Sequence, residues 1–482
     1  MRHDLIAIGL LWAAMPVTHL LDLGYTFFAF EVWAMSALFL ITGSALAYGF
    51  GKLGLQSVLV AASLFLLICI YFLDTSGLQI AWLVVLFAAL YMLHRKVGRR
   101  TLPVISTFAV IFSLSNVVLP KTDPFATTKS QPFEAGEPRN ALLHIILDEQ
   151  ASLDAMAHTI PPQHPALSIY EDYAQRGFKT YRTVRSVHYH TNQSLPNLVS
   201  LNGDTENLAP FEPDDDHILS VRQNPQIQEL VAQGYRVRVR QSSYLDFCVG
   251  VPNIDCRSYP IRDMSVFQTS DLGLDARLLT AFLAISRDYR NPQSGRYIGA
   301  YKAISNALYT PVKSYRYLSW PMKTLEAIEL LETELQEIQP GDAFIAHLLL
   351  PHFPYILSSD CKPQTPNRWA YPVRQGPKQN LQDIHMAYWD QTACSHRKIM
   401  QLLDAIADKP FVSVMIHGDH GARFQTETDA ASEEDDLDTF LMVGNSNTLS
   451  DPATDELSLQ EIFAKEFDSF LDTNRLQDLR LN

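Results

Sequence analysis

Four segments of the 482-residue chain carry side chains whose types and order suit chemistry at one site. Asp148-Glu149 end the apolar run Asn140 to Leu147, and His352 follows the run Ala343 to Leu350. Asp419-His420 follow the run Phe411 to Ile416 inside His417-Gly418-Asp419-His420-Gly421. The fourth segment, His188 to Pro196, offers the hydroxyl of Thr191 ahead of a short helix predicted over Leu195 to Leu201. A hydroxyl is a weak nucleophile at its free pKa and needs a base, a helix N-terminus or a metal to become an alkoxide. Asp, Glu and His together suit a divalent metal, Zn2+ first and Mn2+ or Mg2+ as alternatives, which would ionise the hydroxyl and stabilise charge on a transferred group. Taken singly each signal is weak: Asp-His-Gly after a strand is also turn chemistry, and a Thr before a helix is also an N-cap.

Strands and helices must bring these segments together. The three apolar runs read as buried strands. Gln226 to Gln233 reads as a helix followed by an alternating strand, Tyr235 to Val239. Leu381 to Ala407 is a long helix, and Asp438 to Val443 one more strand. Strands alternating with helices imply an α/β sheet covered on both faces, with polar residues collecting where strands end.

The mean hydropathy of -0.02 and net charge of -14 average two unlike pieces. Residues 1–120 hold only ten charged side chains, and five apolar runs cross them: Leu5 to Leu21, Phe27 to Phe50, Leu55 to Leu73, Leu78 to Leu93 and Leu102 to Leu119. Each approaches or exceeds the ~17–25 residues that a membrane-crossing helix needs, so five transmembrane helices are expected. A re-entrant or interfacial segment is the alternative for the first and fourth, and a cleaved signal peptide fits poorly with four further runs. Arg2, Lys52, Arg95, Lys96, Arg99 and Arg100 fall on one side of the five crossings, and positive loops stay in the cytoplasm. The N-terminus is then cytoplasmic and the chain after about residue 120 is exported, which for a bacterial inner membrane means the periplasm. The expected organisation is a transmembrane domain over 1–120, a linker rich in Pro, Thr, Ser and Gly over 121–139, and an exported domain over 140–482.

The exported part has 32 Lys and Arg against 48 Asp and Glu, which argues against a nucleic-acid partner. Its four cysteines, Cys248, Cys256, Cys361 and Cys394, suggest two disulfides in an oxidising compartment. Proximity favours Cys248 with Cys256 and leaves Cys361 with Cys394, among three pairings that four cysteines allow. The mixture of Tyr, Lys and Arg with apolar residues over about 279–331 suits either amphipathic helices on a membrane or a snorkelling domain surface. Glu433 to Asp438 reads as a solvated loop.

Asn140 to Glu149, Thr191-x-x-Ser194-x-Pro196, His352-x-Pro354-Tyr355 and Gly418-Asp-His-Gly421 resemble the ordered motifs of the alkaline phosphatase and sulfatase-like superfamily. They are most similar to its membrane-anchored phosphoethanolamine and phosphoglycerol transferases, including the lipoteichoic acid synthases. That resemblance implies about five transmembrane helices followed by an exported three-layer α/β/α domain. It places the nucleophile on Thr191, which is also a metal ligand, and the metal-binding pair on Asp419 and His420. The acidic ligand falls on Glu149, with Asp148 as co-ligand in the sulfatase pattern. His352 is implied as a contact to the phosphoryl group or to a second metal.

Two departures qualify the resemblance. Thr191 cannot become formylglycine, which disfavours sulfate-ester hydrolysis. The histidine that lipid A-type transferases carry about a dozen residues after Asp-His-Gly is absent from Ala422-Arg423-Phe424 and the acidic loop beyond. Arg423 is therefore the candidate phosphate clamp, with a surface pair to nearby carboxylates as its alternative. His188, His190 and His417 flank the motifs as structural or substrate-contacting histidines, His190 being the substrate-side candidate. His144 and His347 lie within apolar strands and read as core residues, while His385 and His396 fall on the long helix without a signal.

The expected function is a metal-dependent transfer of a phosphoryl-linked head group, phosphoethanolamine or phosphoglycerol. It would run from a membrane phospholipid to an exported glycan or lipid through a phosphorylated Thr191. An exported phosphodiesterase or phosphatase and a non-catalytic envelope scaffold are the competing readings.

Overall fold

A computed structural model of the chain describes residues 8–53 apart from 11, 15, 18, 19 and 22, then 126–127, 140–201, 219–287 apart from 222, 223, 249 and 262, 317–372, 379–423, 437–444 and 457–481. The chain divides into two compact units, Met1–Lys121 with Asp263–Arg316, and Thr122–Arg262 with Tyr317–Asn482. Residues 263–316, expected to be part of the exported domain, thus group with the N-terminal segment.

In the first unit, helix α1 (Phe30–Lys52) is 23 residues long. At ~1.5 Å per residue it spans about 34 Å, enough for a hydrocarbon core of ~30 Å. Among the described residues it is the one helix long and apolar enough to cross a membrane. The expected runs Leu55 to Leu73, Leu78 to Leu93 and Leu102 to Leu119 lie outside the described residues, so the five-helix count rests on sequence. The buried Glu31 of α1 meets Arg277 at 2.7 Å, and Arg277 belongs to helix α5 (Leu274–Arg287). Most of the Tyr-rich stretch that follows lies outside the described residues.

The second unit is built on an eight-stranded mixed sheet. Its order is β1 (Ala126–Thr127), β7 (Asp255–Tyr259), β5 (Arg236–Ser242), β8 (Asp342–Leu348), β2 (Ala141–Leu147), β9 (Val412–Gly418), β10 (Asp438–Gly444) and β3 (Lys179–Arg185). Strands β7, β5, β8, β2 and β9 are mutually parallel. β1 and β10 run against their neighbours. A two-residue parallel pair, β4 (Leu219–Ser220) and β6 (Leu245–Asp246), stands apart. The predicted linker therefore contributes an edge strand, β1, and β3 and β7 had no counterpart in the sequence reading.

All seven residues of β2, of β8 and of β9 are buried, which explains their continuous apolar sequence: both faces of these strands are covered. On one face, Leu142, Ile146, Ile345 and Met415 pack with helices α3 (Thr191–Val199), α4 (Pro225–Ala232) and α8 (Leu459–Leu481) through Leu195, Ile227 and Phe463. On the other, Tyr173 of α2 (Ile169–Gln175) packs against His396 of α7 (Leu381–Asp404), which in turn meets Phe440 of β10, and α6 (Ser319–Leu335) lies beside α7. Each fully buried Leu, Ile or Phe contributes ~1.5–3 kcal/mol.

The cysteines pair as proximity suggested, Cys248 with Cys256 and Cys361 with Cys394. The second bridge fastens α7 to the segment after His352.

Candidate active site

β8, β2 and β9 are adjacent and parallel, so their C-terminal ends open on one edge, where α/β sheets place their sites. That edge collects Asp148 after β2, His352 after β8, and Asp419 and His420 after β9. Thr191 reaches it by another route. β10 runs antiparallel to both β9 and β3, so β3 runs in the same sense as β9. The chain leaves β3 at the same edge and crosses back to Thr191, the first residue of α3, with His190 at the N-cap. The helix starts earlier than the predicted Leu195, which puts the hydroxyl at its positive end.

Asp148, Asp419 and His420 are fully buried, and one ligand atom from each lies within 4.8 Å of the others. The Thr191 hydroxyl donates to Asp148 Oδ1 at 3.2 Å and lies 3.3 Å from His420 Nε2. The tautomer of His420 follows from its bonds: Nδ1–H donates to the Gly421 carbonyl at 2.7 Å, leaving the Nε2 lone pair directed at the group. Asp419 Oδ1 accepts the N–H groups of Glu149 at 3.0 Å and His420 at 2.8 Å. Its Oδ2, like Oδ2 of Asp148, is buried without a hydrogen bond.

Burial pushes the Asp419 carboxyl well above the ordinary carboxylate range, and the neighbouring Asp148 adds to this. Burial acts in the same direction on Asp148, but the imidazoles of His352, His347 and His420 outweigh it and hold Asp148 below that range. Burial brings His420 down to about 4, with the Arg423 charge assisting, so it is neutral at pH 7 as a ligand must be. Two buried carboxylates that face each other with unpartnered oxygens, beside a neutral imidazole, fit a divalent cation.

Glu149 is placed elsewhere. It takes a left-handed φ of +63°, and its carboxylate is engaged by other groups. Oε1 takes the Arg423 Nε–H at 3.1 Å, and Oε2 takes the Phe353 N–H at 3.1 Å. Of the two expected acidic ligands, Asp148 stands with Asp419 and His420, while Glu149 binds the Arg423 guanidinium. Arg423 also donates to His190 Nδ1 at 3.1 Å and to His352 Nε2 at 3.3 Å. Because a guanidinium can only donate, His190 keeps its proton on Nε2 and His352 on Nδ1, where it bonds the Phe353 carbonyl at 2.5 Å. Burial lowers the His190 pKa and the Arg423 charge lowers it further. The four residues Glu149, Arg423, His190 and His352 form a hydrogen-bonded cluster around the Arg423 guanidinium beside the Asp148 group.

Local sequence explains the precision of the site. Ser194 donates to the Asp419 carbonyl, which ties the Thr-x-x-Ser turn of α3 to the Asp-His turn. At Gly418 a Cβ would lie 2.2 Å from Thr439 Oγ1 and 2.5 Å from the Gln150 carbonyl oxygen, so no side chain fits there. His417 and His144 form a buried chain: Gln226 donates to His144 Nδ1 at 2.9 Å, His144 to His417 at 2.8 Å, and His417 to the Gly418 carbonyl at 2.8 Å.

His347 differs from its reading as a satisfied core residue. It is wholly buried, neither ring nitrogen makes a hydrogen bond, and Nε2 lies 3.5 Å from Asp148 Oδ2. The signal available in sequence was its place one residue before the end of a buried strand.

The sheet and the group at its edge define a class of α/β protein with a metal-compatible site around a threonine. No family model and no curated protein matches the chain. Among solved structures it is similar to the periplasmic domain of phosphoethanolamine transferase EptC from Campylobacter jejuni, at 10% identity over 70% of this chain and 90% of that one, TM-score 0.39. It is similar also to the integral membrane lipooligosaccharide phosphoethanolamine transferase EptA from Neisseria meningitidis, at 11% identity over 91% and 87%, TM-score 0.35. A third is the phosphonate monoester hydrolase of Agrobacterium radiobacter, at 11% over 63% and 68%, TM-score 0.36. Likeness at this level assigns no role to an individual residue.

Proposed function

We propose that the chain is a metal-dependent transferase that moves a phosphoryl-linked head group from a membrane phospholipid to an exported glycan or lipid through Thr191. The observation that carries this reading is the Thr191 hydroxyl, 3.2 Å from Asp148 and 3.3 Å from His420 at the start of a helix. A divalent metal held by Asp148, Asp419 and His420, Zn2+ by the mixed carboxylate and imidazole donors, would supply Lewis acidity at that oxygen.

This chain's own residues do the rest. Asp148 receives the hydroxyl hydrogen bond and orients the oxygen for in-line attack on phosphorus. The O–P bond to Thr191 forms as the bond to the diacylglycerol oxygen breaks, and the proton from Thr191 leaves with that alcohol. Arg423, held charged by Glu149 despite its burial, puts fixed positive charge beside the phosphoryl oxygens, with His190 Nε2–H as a further donor. An acceptor hydroxyl then attacks the same phosphorus and restores Thr191. The apolar helix α1 and the one-sided basic residues of the first 120 support a site held near its lipid donor on the outer side of the membrane.

Purified full-length protein in detergent, given a fluorescent phospholipid, is expected to release diacylglycerol and to carry a head-group phosphate on Thr191 in mass spectra. Both disappear in Thr191→Ala. Release that survives the substitution sinks the mechanism, and release unaffected by added acceptor alcohols points to a hydrolase instead.

A further inference from the structure

The two loops that face each other across the Arg423 cluster are both fastened to one side of α7. Gln391, fully buried, donates from Nε2 to the carbonyls of Pro351 at 3.1 Å, His352 at 2.9 Å and Pro354 at 3.2 Å. Its Oε1 accepts the N–H groups of Ile356 at 3.0 Å and Leu357 at 3.2 Å. With its two N–H hydrogens shared among the three carbonyls, one side chain thus holds five backbone groups of the segment carrying His352. Three residues earlier on the same helix face, the buried Tyr388 hydroxyl accepts from Ala151 N–H at 2.8 Å and donates to the Glu149 carbonyl at 3.1 Å. It thereby closes the turn in which Glu149 holds its left-handed φ. The circuit is completed at the cluster, where Glu149 takes the Phe353 N–H and Arg423 bridges Glu149 to His352.

We propose that Tyr388 and Gln391 are positioning residues that set the spacing of the Glu149–Arg423 pair and His352, so that α7 acts as a splint for the phosphoryl-binding side of the site. The proposal rests on the transferase reading for its kinetic consequence and on the hydrogen bonds alone for its structural one. A buried amide with every donor and acceptor used is a rigid connection, because any displacement leaves a buried polar group unpaired. Neither residue bonds to Asp148, Asp419 or His420, so loss of the splint leaves the metal ligands in place.

The test uses full-length protein with Gln391→Met, which keeps the shape and removes all five bonds, and Tyr388→Phe, which removes one hydroxyl and guards against a folding failure in the first variant. Metal content is expected to stay at the wild-type value, while the rate of adduct formation on Thr191 falls about 10- to 100-fold, as is usual when a supporting shell is removed. In combination with His352→Ala, Gln391→Met is expected to add little, because it acts through His352. Amide exchange at Ile356 and Leu357 is expected to speed up at least about tenfold in Gln391→Met. Effects of His352→Ala and Gln391→Met that multiply, loss of metal, or unchanged exchange at those two amides would each overturn the proposal. If wild-type protein forms no adduct at all, the transferase reading fails, and the exchange and metal measurements still decide the splint.

Discussion

Glu149 Oε1 lies 3.1 Å from Arg423 Nε, and this ion pair separates two adjacent carboxylates into different tasks. Asp148 faces the imidazole and carboxylate of His420 and Asp419, while Glu149 neutralises a cation.

Substitution at the two positions should therefore differ in kind. Asp148→Asn is expected to lower metal affinity by more than about 100-fold and abolish the Thr191 adduct. Glu149→Gln should keep the metal and slow turnover by about 10- to 100-fold, because Arg423 loses its counter-charge. Metal analysis beside single-turnover rates separates the cases; a Glu149→Gln protein without metal would return Glu149 to the ligand set.

Cation binding should stabilise the fold, since the unpartnered Asp148 and Asp419 oxygens are brought together only in the folded chain. At about 100 times its dissociation constant a metal adds ~2.7 kcal/mol, visible as a rise in Tm on adding Zn2+ to chelator-treated protein. Asp419→Asn should lose that rise. An equal rise in the variant would place the metal elsewhere.

Acid stability should be limited by buried histidine. Burial brings His396 down to about 3, below its unfolded value near 6.5, so the native state holds it neutral. Stability from this group is complete above pH ~6.5 and is lost as pH falls toward 3, because the unfolded chain takes up the proton first. The contribution is on the order of 5 kcal/mol at full extent. Urea unfolding between pH 7 and 4 should show the decline, and His396→Phe should flatten it; an unchanged slope in the variant would assign the decline to other groups.

Gly418→Ala should disturb the site from beneath. The added methyl meets the Gln150 carbonyl and the Thr439 hydroxyl, at a cost of about 1–3 kcal/mol. Chemical denaturation gives the loss, and reduced metal affinity is expected with it because Asp419 is the next residue. A variant as stable as wild type would mean that β9 and the 150–151 turn separate easily.

Much of this protein was legible in its residues because some signals are local. Continuous apolar runs gave β2, β8 and β9, since strands covered on both faces have no polar side to reveal. Their last residues gave Asp148, His352, Asp419 and His420, since polar groups can collect only where a buried strand ends. Cys248 and Cys256 are close enough in sequence that proximity pointed to the bond. β1, β3 and β7 were missed because short or half-exposed strands at or near the sheet edges lack that continuous pattern.

Which carboxylate faces the metal-compatible group was decided only in three dimensions. Asp148 and Glu149 are chemically equivalent and adjacent, and a turn with left-handed Glu149, held by Tyr388 from α7 more than two hundred residues away, gives them different partners. The same holds for His347, whose neighbour Asp148 follows a different strand, and for Thr191, delivered to the edge because two antiparallel pairings restore the direction of β9 in β3. Sequence sets which side chains are available and where elements end; the pairing order of the strands and the backbone handedness of a single turn decide which of them meet.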